Sequence, residues 1–282
     1  MMIKDKESTA IGIVLIYLSF AIIFAMKKML WHPPIIWMCE SLTVFFIFPV
    51  FIYDLIKYQI DKKIGYITFA FLILNLFIIL LFKNGKMDNL ILLIPTIVAV
   101  IYTLMLLKRY KQFKTFYLKI GRWKLWVPIL IIITVFIFFT TLYLSGRRDF
   151  LRTYPLYRRY IHRNYEIIYY EMGFFVFMFA WEFLFRGFLI PILRNKVNLF
   201  LAVIISTVIF SLAHYGKPQI EIYSSIFGGI MLGYLTVYFR SIYPAVISHF
   251  ILSLSMNMFV MIRKGMLHPP DFIVHLVRSI HP

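Results

Sequence analysis

Four ionisable side chains lie inside or at the edge of long apolar runs in the last third of the sequence. Glu182 and Arg186 are four residues apart within the run Phe179–Pro191, His214 ends the next run, and His249 lies in the middle of another. A charged side chain in the middle of a bilayer costs roughly 3 kcal/mol on insertion scales, so such residues usually face the bundle interior and pair with one another. We therefore expect all four side chains to share one polar pocket.

This set of side chains can activate a water molecule. A carboxylate and an imidazole in a low-dielectric pocket can share the task of removing a proton from water. Burial favours the neutral acid, and a neighbouring arginine favours the ionised carboxylate that a base requires. A second imidazole across the pocket could stabilise an oxyanion. The residues therefore predict peptide hydrolysis without a covalent intermediate.

Simpler roles remain open for each residue. Glu182 and Arg186 lie on one helical face and could neutralise each other as a structural ion pair. His214 could cap carbonyl groups at the end of its helix. Glu40 and Glu171, which are set into other apolar runs, are interpreted as polar contacts between helices.

The composition is that of an integral membrane protein. Of the 282 residues, 62% are hydrophobic and only 15% are charged, whereas a soluble domain has about 45–50% apolar and about 25% charged residues. A net charge of +18 would suggest nucleic-acid binding in a soluble protein. Here the basic residues lie in short breaks between apolar runs, where they meet anionic head groups. We expect membrane lipids, and no nucleic acid, among the partners.

Nine apolar runs approach the length of about 20 residues that is needed to cross a membrane. The predicted fold class is all-α, a polytopic membrane bundle of eight or nine transmembrane helices. Lys and Arg are divided almost evenly between the two sides, so the positive-inside rule gives no orientation. The sequence HPP at 268–270 predicts non-helical backbone there. The predicted spans cover 9–26, 35–56, 65–82, 89–107, 125–145, 166–190, 198–213, 221–239 and 242–262.

Three short motifs on three of these spans resemble the CAAX protease and bacteriocin-processing family of intramembrane endopeptidases. The stretch WEFLFRG resembles the family's first motif, EExxxRG; FSLAH, Phe210 to His214, resembles FxxxH; and SIYPAVISHF, which contains His249, resembles the third motif. Their order and spacing agree with the family over about residues 125–262. The resemblance divides the chain into N-terminal transmembrane helices without a motif (1–124), a protease-like core (125–262) and a C-terminal tail (263–282).

The resemblance implies a helix bundle with a water-accessible cavity and an activity similar to that of a type II CAAX prenyl endopeptidase. The implied substrate is a membrane-bound peptide or a lipidated protein. In the family's mechanism Glu182 and His214 would activate water beside Arg186, and His249 would stabilise the oxyanion. No cofactor is expected, and the expected location is the bacterial cytoplasmic membrane.

Motif one departs from the family pattern at its first position. Trp181 stands where the family has its first glutamate, which usually acts as the base. Adjacent helix positions point about 100° apart, so Glu182 can replace that residue only through a shifted helix. The alternative is that the activity is lost.

Three further residues could support the site. Ser253 stands four residues after His249, where the family has Asn or Asp, and its hydroxyl could donate instead. Asn257 has better chemistry but lies about 80° round the helix from His249. Glu221 follows His214 across the turn-forming sequence YGKPQI and could orient it or substitute as a base. The alternative for Glu221 is a carboxylate favoured by the dipole at a helix N-terminus.

Other functions stay open. Because an indole cannot act as a base, Trp181 is consistent with a non-catalytic relative that binds a membrane peptide or a partner protein. Glu182, His214 and His249 could instead form a three-ligand zinc site in a membrane hydrolase. A transporter is the least supported function, since no internal repeat is visible.

Overall fold

The computed structural model is a bundle of helices. The structure describes residue 9 and residues 11–17, 34–57, 89–155 and 164–280. No strand occurs in this described part of the chain, and the predicted all-α class is confirmed. Helices that are long and apolar enough to cross a membrane are Trp37–Lys57, Trp123–Leu144, Glu166–Arg194, Gln219–Phe239 and Tyr243–Arg263.

We number the helices from Pro34, and two of them contain a π-helical stretch. Helix α1 joins Pro34–Ser41, the π-helical stretch Leu42–Ile47 and Phe48–Lys57. Helix α5 joins Asn164–Glu182, the π-helical stretch Phe183–Leu189 and Ile190–Arg194. The other helices are α2 (Asn89–Arg109), α3 (Trp123–Leu144), α4 (Arg148–Thr153), α6 (Leu199–Leu212), α7 (Gln219–Phe239), α8 (Tyr243–Arg263) and α9 (Asp271–Ser279).

Most of the predicted spans coincide with described helices. The predicted span 65–82 lies outside the described residues, and the span 9–26 is described only at residue 9 and residues 11–17, which are helical. Helix α6 has only 14 residues, which is about 21 Å at a rise of about 1.5 Å per residue and too short to cross a bilayer. Residues 268–270 are non-helical as expected, but the helix α9 that follows them was not predicted.

Helix α5 lies at the centre of the bundle. In its apolar window 83% of the residues are buried, against 22% in α3, whose exposed apolar surface is suited to contact with lipid. Aromatic side chains pack α5 against α1. The ring pairs are Trp37 with Phe174 and Phe177, Phe45 with Phe177 and Trp181, and Phe46 with Phe179 and Phe183.

Two glycines bring α7 into close contact with its neighbours. A Cβ atom at Gly229 would lie 2.7 Å from the side chain of Thr207, and one at Gly233 would lie 3.0 Å from Val203. Small residues allow helices in membranes to approach in this way. Because α6 carries the FxxxH motif, this packing positions one of the predicted site residues.

Candidate active site

The buried carboxylate of Glu182 is contacted from two sides. Glu182 is the last residue of α5 before the π-helical stretch, and its side chain is fully buried. The Nη1 atom of Arg186 is 3.1 Å from Oε1 and 3.0 Å from Oε2, so the expected ion pair is present. The Nδ1 atom of His249 is 2.6 Å from Oε1. π-helical stretches are frequent at functional sites, and this one begins directly after Glu182.

The ring of Phe210 lies close to the guanidinium of Arg186 and to both imidazoles. The guanidinium carbon of Arg186 is 3.9 Å from the centroid of this ring. The ring centroids of His214 and His249 are 4.5 and 5.7 Å from the same point. The motif FSLAH contains Phe210, for which no role was predicted from the sequence. Its position one helical turn before His214 is the signal that could have indicated one.

A hydrogen bond to the backbone fixes the tautomer of His214. Its Nδ1 atom is 2.8 Å from the carbonyl oxygen of Phe210, and a carbonyl only accepts. In the neutral ring Nδ1 therefore carries the hydrogen, and Nε2 keeps its lone pair. His214 lies in the turn after α6, outside the membrane-spanning helices, and burial lowers its pKa to about 4. The ring is therefore neutral at physiological pH.

The two imidazoles lie nearer the surface than the carboxylate. Glu182 is fully buried and Arg186 is 1% exposed, whereas the side chain of His249 is 12% exposed and His214 is half-buried. The ring centroids of the two histidines are 6.2 Å apart, and their planes differ by 21°. The imidazoles are therefore the more accessible part of this cluster.

The pairing of Glu182 differs from the one that the resemblance implies. The resemblance led to the prediction that Glu182 and the histidine of motif two, His214, activate water together. Here the carboxylate is hydrogen-bonded to His249, the histidine of motif three. His214 is hydrogen-bonded to a backbone carbonyl instead.

Trp181 is part of an aromatic cluster that joins α5 to α1 and α6. Its ring is 6% exposed and lies within 5.0–6.5 Å, between centroids, of four phenylalanine rings. An indole in this environment contributes packing. The four neighbours are Phe45, Phe177, Phe185 and Phe210.

Glu221 is bound by a tyrosine and a lysine beside the turn 213–218. The hydroxyl of Tyr154 donates to its carboxylate at 2.8 Å, and Nζ of Lys217 lies 3.3 Å from Oε1. Lys264 in turn donates to the carbonyl of Tyr154 at 2.6 Å. Burial and the charge of Glu221 raise the pKa of Tyr154 well above its usual value, so the phenol stays protonated. Sequence reasoning did not find Tyr154, which is 67 residues from its partner.

Asn257 belongs to a second polar contact between α5 and α8. Its Nδ2 atom donates to Oε1 of Glu171 at 3.0 Å, which confirms Glu171 as a contact between helices. Ser253 is buried between the two contacts, one helical turn from both His249 and Asn257. Of the two predicted supporting residues on α8, Ser253 is therefore the one nearer to the imidazole.

The side chains around Glu182 do not fit a metal site. In the described part of the chain, no group of three His, Cys, Asp or Glu side chains converges as metal ligands do. Both oxygens of Glu182 lie within 3.1 Å of the guanidinium of Arg186, so a divalent cation would meet a positive charge. The geometry does not support the zinc alternative.

Comparison with known families agrees with the three motifs. Residues 163–255 match the profile of the family described as type II CAAX prenyl endopeptidase Rce1-like, and this segment holds Glu182, Arg186, His214 and His249. The chain has no match among the curated proteins or the solved structures. Residues 163–255 are therefore similar to the type II CAAX prenyl endopeptidases, as the motifs predicted.

Proposed function

We propose that this protein is an intramembrane endopeptidase that hydrolyses a peptide bond in a membrane-associated protein or peptide. One observation carries the proposal. The ring centroids of His214 and His249 are 6.2 Å apart, and His214 is hydrogen-bonded to a backbone carbonyl whereas His249 is hydrogen-bonded to the buried carboxylate of Glu182. These different bonds suit the rings to different steps of one hydrolysis. The family match supports the reaction class.

His214 is the base in this proposal. Its Nδ1–H is held by the carbonyl of Phe210, so its Nε2 lone pair is available. It removes a proton from water as the oxygen attacks the carbonyl carbon of the scissile peptide bond. The product of this step is a tetrahedral intermediate, with the proton on Nε2 of His214.

His249 supports the oxyanion. Its Nδ1–H donates to Glu182, and the negative carboxylate stabilises positive charge on the imidazole, as a carboxylate does in hydrolytic triads. In this imidazolium form both ring nitrogens carry a hydrogen, and Nε2–H donates to the oxyanion. Arg186 adds a second positive charge at this buried site, where electrostatic stabilisation is strong.

The reaction ends with transfer of the same proton. Nε2–H of His214 protonates the leaving nitrogen as the C–N bond breaks, which gives a carboxylic acid and an amine. His249 keeps the hydrogens on both of its ring nitrogens throughout. Glu182 acts through His249 in this scheme, so the missing first glutamate of motif one is not required.

The test is cleavage of a defined peptide by the purified chain in liposomes. The probe is an internally quenched, S-farnesylated peptide that ends in Cys-aliphatic-aliphatic-X, and the same peptide without the farnesyl group is the second arm. We expect His214→Gln, His249→Gln and Glu182→Gln each to lower kcat by about 10²-fold or more. Wild-type rates in all three variants would overturn the proposal.

The second candidate function is a non-catalytic relative that binds a membrane peptide. The observation that favours it is Trp181, an aromatic core residue at the position of the family's base. This candidate predicts that the wild type binds the farnesylated probe without cleaving it. Binding would then be equal in wild type and His214→Gln.

A further inference from the structure

We infer that Phe210 is a positioning residue that holds the guanidinium of Arg186 and the imidazole of His214 in their places. Its consequence for catalysis rests on the proposed function. The placement itself does not, because it depends only on contacts within the folded protein. The backbone and the ring of this one residue contact both sides of the site.

The ring of Phe210 adds to the stabilisation that Arg186 receives from its ion pair with Glu182. Nη1 of Arg186 is paired with Glu182, but its buried Nη2 makes no hydrogen bond within the described part of the chain. A buried guanidinium without partners is costly, and an aromatic face within about 6 Å attracts a cation. At 3.9 Å the face of Phe210 is well inside that range. The ring of Phe185 is also near this guanidinium, at 5.9 Å.

The same residue restrains His214 in two ways. Its carbonyl accepts the Nδ1–H of the imidazole, and its ring lies 4.5 Å from the imidazole centroid. The hydrogen bond selects the tautomer, and the ring contact restricts rotation of the imidazole away from the carbonyl. Both restraints are needed because His214 lies in a half-buried turn after the helix has ended.

The surrounding packing keeps the ring of Phe210 in place. The side chain is 4% exposed, and the rings of Phe185 and Trp181 lie 5.3 and 6.5 Å away. Trp181, which replaces the family's first glutamate, thus packs against the residue that positions His214. Leucine at 210 would fill much of this space but would offer no aromatic face to the cation.

The first measurement is the tautomer of His214 in the full chain, labelled with 15N in its histidine rings and held in lipid bicelles. His214→Gln identifies the signal. In wild type we expect about ten times more of the Nδ1–H tautomer than of the Nε2–H tautomer. This ratio corresponds to a hydrogen bond of about 1.4 kcal/mol. In Phe210→Leu the ratio should fall to about twofold, and Phe210→Tyr should restore it. Phe210→Met replaces Phe210→Leu if that variant does not fold.

The matched control is Phe46→Leu. Phe46 is equally buried, and its ring contacts Phe179 and Phe183 on the other side of α5. The Phe46→Leu variant should have a lower thermal midpoint than wild type, as Phe210→Leu does. Its His214 signals should be unchanged. A role in packing alone would give the same spectrum for both variants.

The second measurement is a double-mutant cycle in thermal unfolding. Arg186→Met combined with Phe210→Leu should be non-additive, because the two side chains interact directly, whereas Arg186→Met combined with Phe46→Leu should be additive. Unchanged His214 signals in Phe210→Leu, or additive effects with Arg186→Met, would overturn the inference. Neither measurement involves cleavage. An inactive wild type with these couplings would overturn the proposed function and leave this inference standing.

Discussion

Helices α5 and α8 are joined by two buried polar contacts that look alike and differ in chemistry. The histidine contact joins Glu182 to His249, and the asparagine contact joins Glu171 to Asn257. The two glutamates are 11 residues apart on α5, about 16 Å along the helix. In both, a carboxylate accepts a hydrogen bond from a nitrogen on α8.

The difference lies in the partners of the carboxylate. The histidine contact includes a cation, Arg186, and an imidazole that is 12% exposed. The asparagine contact has the amide of Asn257, which is fully buried and cannot carry a positive charge. Burial of a carboxylate in a membrane helix therefore does not mark a reactive site. The proposed activity depends on the partners of the Glu182 carboxylate, a guanidinium and an imidazole, rather than on its burial.

The largest expected effect separates the two glutamates. Glu182→Gln should lower kcat by about 10²-fold or more, because a neutral amide cannot stabilise positive charge on His249. Glu171→Gln keeps a hydrogen bond to Asn257 available and should change kcat by less than about threefold. Cleavage rates of the farnesylated peptide by the two variants in liposomes measure this. Equal losses in both would show that the two contacts have the same role.

The next prediction exchanges the residues on α8. His249→Asn gives the histidine contact the amide chemistry of the asparagine contact. It should lower kcat by about 10²-fold. Its thermal midpoint should stay within a few degrees of wild type if the amide still donates to Glu182. The matched change Asn257→His should leave the rate nearly unchanged. A fast His249→Asn enzyme would contradict a role for the imidazole.

Trp181→Glu tests whether the family's first glutamate can be restored. The new carboxylate would lie among the rings of Phe45, Phe177, Phe185 and Phe210, so we expect destabilisation of several kcal/mol and no gain in kcat. Trp181→Phe should retain both folding and activity. A folded Trp181→Glu variant with a higher rate than wild type would instead support the non-catalytic interpretation of the native chain.

The smallest effect concerns the cluster around Glu221. The folded protein raises the pKa of Tyr154 above the usual value of about 10, so the folded state keeps a proton that the unfolded chain releases. This stability is fully present below about pH 10 and is lost progressively as the pH rises from that value towards the higher pKa of the folded protein. Tyr154→Phe should flatten the decline of the thermal midpoint between about pH 9 and 11. Parallel curves for wild type and variant would argue against this contribution.

The sequence predicts the bundle better than it predicts the site. Long apolar runs define α1, α3, α5, α7 and α8 because a spanning helix needs both length and apolarity. The π-helical stretch after Glu182 was not predicted, since it is a change of hydrogen-bond register with no clear mark in composition. Helix α9 follows a non-helical segment and is too short to be recognised as a span.

Within the site, the charged residues could be found from the sequence and their pairing could not. Glu182, Arg186 and His249 stand out because they are ionisable residues in apolar runs. Phe210 does not stand out, because an aromatic residue is ordinary there. Glu182 is hydrogen-bonded to His249 and not to His214 because of the way α8 packs against α5. This packing joins residues that are 67 positions apart in the sequence.

The central claim is that Glu182 acts through His249 and not independently. The direct test is a kinetic double-mutant cycle with Glu182→Gln, His249→Gln and the double variant, measured as single-turnover cleavage of the farnesylated peptide in liposomes. Residues that act as a unit give strongly non-additive losses. The account predicts that the double variant is within about threefold of His249→Gln alone. Losses that multiply would show that Glu182 contributes to water activation by a separate route, and the division of roles between the two histidines would be wrong.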